Sequence, residues 1–271
     1  MDVEPAEKVF RALSHDFRLD VTDESLAGLL HSALADLRTT GPATCRYVLD
    51  GRTISVDGQA LVEQGTPGFA VGRLLWHVNQ EAVRRSSPDL VVVHAAGAVK
   101  DGVGVMLTAP MKNGKTTTVA GLLEAGYAYV TDEAYAIDPT TLLVQPFPKP
   151  LSVDRGSWSV LAGMRPTVQL TPEQWQVPVT ELGVPIAPPA RTSVIISPRY
   201  RAGSETRLVP ISRARMLLLL AEACFEFEQR VARNLAVLAR VTQASRCFLL
   251  DIGDLGRAVA LIDATVTEAV A

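Results

Sequence analysis

An α/β protein, built on a mixed sheet with flanking helices and preceded by a small α+β lobe, is predicted by three observations. From residue 90 onward, apolar β-branched runs such as "LVVVHAAGAV" and "GVGVMLTAP" alternate with segments of helical period. A glycine- and lysine-bearing turn, "APMKNGKTTT", stands where one such run gives way to a helix. The first 87 residues instead mix hairpin and helix patterns of a different texture. The two expected units are therefore residues 1–87 and 88–271, meeting at Ser87-Pro88. No glycine- or serine-rich linker follows, so that boundary is expected to be packed rather than tethered.

In the first unit, "LAGLLHSALADL" (Leu26 to Leu37) carries apolar residues at helical spacing, with Asp23 placed to start it. "CRYVLDGRTISVDG" reads as a hairpin whose turn is Asp50-Gly51. "AVGRLLWHVNQEAVRRS" reads as an amphipathic helix stopped by Ser87-Pro88. In the second unit, "KDG" joins two strands as a hairpin, and a helix from Lys115 to Ala125 ends at Gly126. "YAYV", "AYAI" and "LLVQPF" are short strands. Residues 146–191 are proline-rich and aperiodic, a long irregular connection of the kind that tends to carry function. Strands at "TSVIISPRY" and "TRLVPI" follow, then one or two helices opened by Ser212, a strand at "RCFLLDIGD" and a closing helix at "LGRAVALIDATV".

Composition narrows the function classes. The chain has 271 residues, is 48% hydrophobic and 20% charged, and carries a net charge near −3, so no basic field points to nucleic acid or an anionic membrane. Cys45, Cys224 and Cys247 lack metal-ligand spacing and read as reduced thiols. The acidic start "MDVEPAEKVF" has no apolar signal region, and "MLLLLAEACF" is too short to span a bilayer. A cytoplasmic location is expected. Four of the five lysines, Lys100, Lys112, Lys115 and Lys149, fall around the glycine turn.

That turn matches a relaxed phosphate-loop pattern from Ala109 to Thr116. The chemistry needs backbone amides curled around phosphate oxygens at a helix start. Ala109, Lys112, Asn113, Gly114, Lys115, Thr116 and Thr117 are the expected nucleotide contacts. Gly114 permits close backbone approach, Lys115 reaches the β- and γ-phosphates, and the Thr116 hydroxyl can ligate Mg²⁺. The first position asks chiefly for a small side chain, which alanine supplies. Asp132 and Glu133 follow one helix and one strand later, as a crossover would return them to the same sheet edge. A carboxylate there can hold Mg²⁺ or accept a proton from an attacking hydroxyl. His94 ends an apolar strand facing the same cleft and can orient a carboxylate. Lys149, Arg191 and Arg199 are candidate contacts to a phosphate or an acidic substrate.

The order "HAAGAV", "GVMLTAPMKNGKTTT", "EAGYAYVTDEAYAID" and "PFPKPLSV" resembles the HPr kinase/phosphorylase superfamily, in particular its shorter HPr-kinase-related members of peptide-modification gene clusters. The resemblance is specific over about residues 90–151 and looser toward the C-terminus. It implies a phosphate-loop fold shared with phosphoenolpyruvate carboxykinase, with ATP and Mg²⁺ as cofactors. It also implies that Asp132 is the general acid/base supported by His94, that Lys115 and Thr116 serve phosphate and metal, and that Glu133 assists Mg²⁺. Ala109, Thr116 and Glu133 depart from the commoner glycine, serine and aspartate. No counterpart of the bifunctional enzymes' glycine-containing signature follows the acidic pair, so phosphorylase activity and HPr as substrate are not implied. The expected activity is transfer of a γ-phosphate to a serine or threonine hydroxyl of a peptide or carrier protein. A non-catalytic nucleotide-binding scaffold or regulator and a small-molecule kinase are the alternatives. Homo-oligomerisation is left open.

Overall fold

The structure, a computed structural model, describes residues 8–62 and 65–270. Of the acidic N-terminal stretch read as residues 1–10, residues 1–7 lie outside the described residues. The chain is a mixed α/β protein, with two large sheets and six α-helices among the described residues.

The first sheet is built from residues 9–62. Its strands are β1 (Val9–Ala12), β2 (His15–Val21), β3 (Arg38–Thr39), β4 (Cys45–Asp50), β5 (Thr53–Val56) and β6 (Gln59–Val62), in the order β3-β1-β2-β4-β5-β6. Helix α1 (Glu24–Ala33) crosses from β2 to β4, which pair in parallel. It starts where Asp23 accepts a hydrogen bond from the Leu26 amide, 2.8 Å, and is shorter than the apolar period suggests because a 3₁₀ turn, Ala35–Leu37, takes over. The Asp50-Gly51 turn joins β4 to β5, Asp50 pairing with Thr53 and Gly51 taking a left-handed φ of 56°.

Helix α2 (Pro67–Ser86) lies between the two sheets. Thr66 caps it, and it stops at Ser87 before Pro88. Its buried face, including Leu74, Val78 and Ala82, shares one core with Phe10, Phe17 and Tyr47 of the first sheet and with Val92, Ala134 and Phe147 of the second unit. The two units are thus continuous through apolar packing, and the junction near Pro88 is a packed one.

The second sheet contains β7 (Val91–Lys100), β8 (Val103–Thr108), β9 (Ala128–Thr131), β10 (Ala134–Ile137), β11 (Leu143–Gln145), β14 (Ala190–Tyr200), β15 (Arg207–Pro210) and β16 (Arg246–Ile252). Its order is β11-β10-β7-β8-β14-β16-β15, with β9 beside β7 and β11 also pairing the start of β14. The β7–β8 hairpin turns through Asp101 and Gly102, both left-handed. Strands β8, β14 and β16 run parallel, so their C-terminal ends share one edge. One face of this sheet packs against α3 (Lys115–Glu124) and α6 (Leu255–Val270), the other against α4 (Arg213–Ala223) and α5 (Val231–Gln243).

Residues 146–191 are less irregular than their composition predicts. They contain a two-stranded antiparallel ribbon, β12 (Leu151–Asp154) and β13 (Gln174–Val177), with Val153 opposite Trp175. Leu151, Val153, Trp175 and Val177 are buried in the same core as α3. Among the described residues no helix is long and apolar enough to cross a membrane, and all three cysteines are buried and unpaired.

Candidate functional site

The strand-to-helix turn of residues 109–114 sits at the C-terminal end of β8, where parallel neighbours β14 and β16 also end. Two residues in it, Lys112 (φ 62°) and Gly114 (φ 92°), adopt the left-handed conformation. Alternating handedness turns successive amides inward, the geometry of an anion-binding nest. Ala109 is not among the left-handed residues, so the position where glycine is usual needs none of glycine's conformational freedom here. Alanine fits because the site is nearly buried, at 7% exposure.

The loop's carbonyls are engaged from within. Lys115 Nζ donates to the Ala109 carbonyl at 2.7 Å and to that of Pro110 at 3.3 Å, while the Asn113 side-chain amide donates to the carbonyls of Pro110 and Met111. The amides remain. At the start of α1, α2 and α4 the side chains of Asp23, Thr66 and Ser212 accept a hydrogen bond from a first-turn amide, but α3, like α5, has no such cap. Its first internal amide bond runs from Thr118 to the Gly114 carbonyl, 2.8 Å, so the amides of residues 115–117 have no intrahelical partner. The Thr118 hydroxyl is fully buried and also has no partner among the described residues. Burial pulls the Lys115 pKa below the ordinary lysine value, while the charges of Glu133 and Asp132 oppose the shift. Those carboxylates therefore act on the same ammonium.

The two acidic residues differ sharply in surroundings. Asp132 is 3% exposed and has both oxygens engaged. Oδ1 accepts from the Tyr129 hydroxyl at 2.9 Å and meets Lys149 Nζ at 2.6 Å; Oδ2 accepts from the Ser152 amide at 2.9 Å. Burial, followed by the Asp132 charge, holds the Tyr129 pKa well above the usual phenol range, so that hydroxyl stays a donor. Glu133 is more open, and its Oε1 lies 3.4 Å from His94 Nδ1. Its pKa is lowered: burial alone would raise it, but His94 and the charges of Lys149 and Lys115 outweigh that penalty. His94 is one edge of a T-shaped contact with Phe225, at 5.8 Å between ring centres. Its Nε2 is buried without a partner among the described residues.

These placements revise several expectations. The carboxylate paired with His94 is Glu133, not Asp132. Strand alternation from the Ala134–His94 pair would have put Asp132 on the His94 face, but residues 132 and 133 form a bend between β9 and β10, and the Ala95 amide donates to the Glu133 carbonyl at 3.2 Å, which seats Glu133 beside His94. Lys149 is 3% exposed and donates to the Pro150 carbonyl and the Ser152 hydroxyl besides pairing with Asp132, so it is no surface contact for a substrate. Arg191 pairs with Val103, at the opposite end of β8 from the loop, about 17 Å away at ordinary strand rise. Arg199 does lie at the loop end, but its guanidinium meets Asp251 at 2.8 Å, and Arg207 flanks the same carboxylate at 2.9 Å. Thr116 and Thr117 open α3 as expected.

One contact had no signal in the sequence reading. The Thr117 hydroxyl lies 2.6 Å from that of Ser157, so the segment after β12 is pinned to the start of α3. The segment is held at its other end by Asp132 through Lys149 and the Ser152 amide. The phosphate-loop pattern, the acidic pair and Lys149 were singled out from the sequence, but nothing in residues 146–157 signalled that this stretch packs against both the start of α3 and Asp132.

Comparison with known proteins found no matching family model and no matching curated protein. The chemistry of the site therefore rests on its own residues. Among the described residues no cluster of three or more histidine, cysteine or acidic side chains gathers as a protein-only metal cage. Magnesium bound mainly through phosphate oxygens and water needs only one or two protein oxygens, and the Thr116 hydroxyl suits that role.

Proposed function

We propose that this chain is a magnesium- and ATP-dependent phosphotransferase of HPr-kinase-like fold, moving the γ-phosphate to a hydroxyl of a peptide or carrier protein. The observation that carries the reading is the convergence at one sheet end of three features: the left-handed turn with free α3 amides, the buried Lys115, and the His94–Glu133 pair. Phosphate oxygens would replace the Ala109 and Pro110 carbonyls as acceptors for Lys115 Nζ. Thr116 would hold the metal, which when bound shields charge on the β- and γ-phosphates, leaving Glu133 free of it. His94 keeps the Glu133 carboxylate ionised and oriented. With both Asp132 oxygens engaged, Glu133 is the carboxylate open to receive the acceptor's proton, and Asp132 positions the segment that carries Lys149 and Ser152.

A second reading is supported by that same engagement. If Asp132 is locked by Lys149, the chain resembles a nucleotide-binding regulator whose general base has been given over to structure. The test is incubation with Mg-ATP and candidate peptides or carrier proteins, read as a phosphate mass shift. Transfer is expected, and Glu133→Gln should slow single-turnover transfer by roughly 100-fold or more while ATP still binds. Nucleotide binding with no acceptor phosphorylated would favour the regulator. Full activity in Glu133→Gln, with a stable but inactive Asp132→Asn, would return the base role to Asp132.

A further inference from the structure

Strand β14 runs past its last pairing with β8, at Ile196 and Leu107, and ends at Tyr200 beside the loop. Val194 and Ile196 point into the core under α3 and α6 and are fully buried. Tyr200 lies two and three side-chain repeats further on the same face, where the helices no longer cover the sheet, and is 57% exposed. It stands next to the start of α3: a Cβ built on Gly114 would meet the Tyr200 Cβ at 3.6 Å and Ile252 Cδ1 at 3.6 Å. Among the described residues the Tyr200 side chain has no hydrogen-bond or aromatic partner. A large aromatic side chain left uncovered beside a phosphate loop has not been placed there by the demands of the core.

Its backbone is held firmly. The Arg201 amide donates to the Ile252 carbonyl at 3.0 Å, directly after Tyr200. The amides of Gly253 and Asp254 both donate to the Thr206 hydroxyl, at 3.0 and 2.8 Å. Gly253 lies so close to the Ser204 carbonyl that any side chain there would collide with it. The turn from 201 to 206 and the turn after β16 therefore form one braced wall, and Tyr200 stands on it. The Thr118 hydroxyl, fully buried and without a partner among the described residues, lies 4.0 Å from the same Gly114 position. Unmet polar capacity and an exposed aromatic side chain thus flank one point, the exit of the phosphate nest along α3.

We propose that Tyr200 is the stacking platform for the nucleobase, and so the residue that distinguishes a nucleoside triphosphate from bare triphosphate at this loop. The inference rests on the nucleotide reading above and adds where the base lies. Every base offers a π-face, and an aromatic ring presents a matching one without needing a specific hydrogen-bond pattern. The platform accordingly predicts affinity for adenine and guanine nucleotides alike, with the phosphates supplying the common anchor.

The test is titration calorimetry of the full chain with Mg-ATP and with magnesium tripolyphosphate, on wild type, Tyr200→Phe, Tyr200→Ala and the exposed α4 control Leu218→Ala. Tyr200→Ala should weaken Mg-ATP about tenfold and leave tripolyphosphate within about twofold. Tyr200→Phe and Leu218→Ala should match wild type for both ligands. Equal affinity of Tyr200→Ala and wild type for Mg-ATP would overturn the platform, as would equal weakening of both ligands, which would make Tyr200 a support of the loop. Wild type binding tripolyphosphate and Mg-ATP equally well would also overturn it, while leaving the phosphate nest intact. Binding of neither ligand would instead remove the nucleotide reading itself. Should the alanine variant fold poorly, Tyr200→Trp supplies an independent readout: its added fluorescence should be quenched by Mg-ATP and not by tripolyphosphate, and the same response to both would contradict stacking.

Discussion

The N-terminal lobe and the loop end of the large sheet both bury polar side chains, and they differ in how those groups are satisfied. In the lobe, His15 Nε2 and the Tyr47 hydroxyl are 3.1 Å apart, and the Tyr47 hydroxyl lies 2.8 Å from His77 Nδ1. The rings pack among Phe17 and the rest of the apolar core, leaving only His15 Nδ1 without a partner among the described residues. At the loop end, His94 Nε2, Thr108 Oγ1, Thr118 Oγ1 and Arg199 Nε are all buried and unsatisfied. An unmet buried polar atom costs about 1–3 kcal/mol, so several at one sheet end mean that packing alone does not account for them. The histidines of the lobe are largely satisfied architecture; the unmet donors and acceptors around the loop support the proposed nucleotide site.

The contrast can be broken most forcefully at the buried pair. Lys149→Met would leave the Asp132 carboxylate enclosed without its cation, and unfolding in urea should show a loss of about 3–5 kcal/mol. A loss below about 1 kcal/mol would mean that the pair is solvated and that Asp132 is free for chemistry.

The lobe should show itself through pH. Burial, with a smaller push from Arg85, lowers the His15 pKa from 6.5 to about 4. The unfolded chain therefore binds the proton first, and stability falls as pH drops from about 6.5 toward 4. The expected loss is roughly 3 kcal/mol from this residue over that window. Melting temperatures of wild type and His15→Gln across the range check it: the slope should be shallower in the variant, and parallel curves would contradict the assignment.

Smaller effects sharpen the loop side. Gly114→Ala forces a side chain onto a φ of 92° and should destabilise by about 1–2 kcal/mol, measured in urea, with weaker nucleotide binding. Ser157→Ala removes the hydroxyl facing Thr117 and should cost about 0.5–1.5 kcal/mol. Faster amide exchange confined to residues 151–157 is the expected signature, and unchanged exchange there would show that the contact holds nothing in place.

What could be read before folding was whatever is encoded locally. Asp23 and Ser212 cap helices, Asp101-Gly102 turns a hairpin, and Gly126 ends α3, because each preference acts over a few residues. The phosphate-loop pattern was legible for the same reason. The partner of His94 was not, since Asp132 and Glu133 sit in a bend where strand alternation fails, and the seat of Glu133 comes from its carbonyl accepting from the Ala95 amide of β7. Nor were the roles of Lys149 and Ser157 visible. They are set by a short ribbon whose few buried residues, Leu151, Val153, Trp175 and Val177, lie between prolines and carry too little period to register.

The proposed function depends on the uncapped amides before Thr118 gripping phosphate together with Lys115. Titration calorimetry of Mg-ATP into folded wild type and Lys115→Ala tests this most directly. Saturable binding that requires magnesium and is lost in the variant is the predicted result. No heat of binding to well-folded wild type, or equal binding by Lys115→Ala, would contradict it.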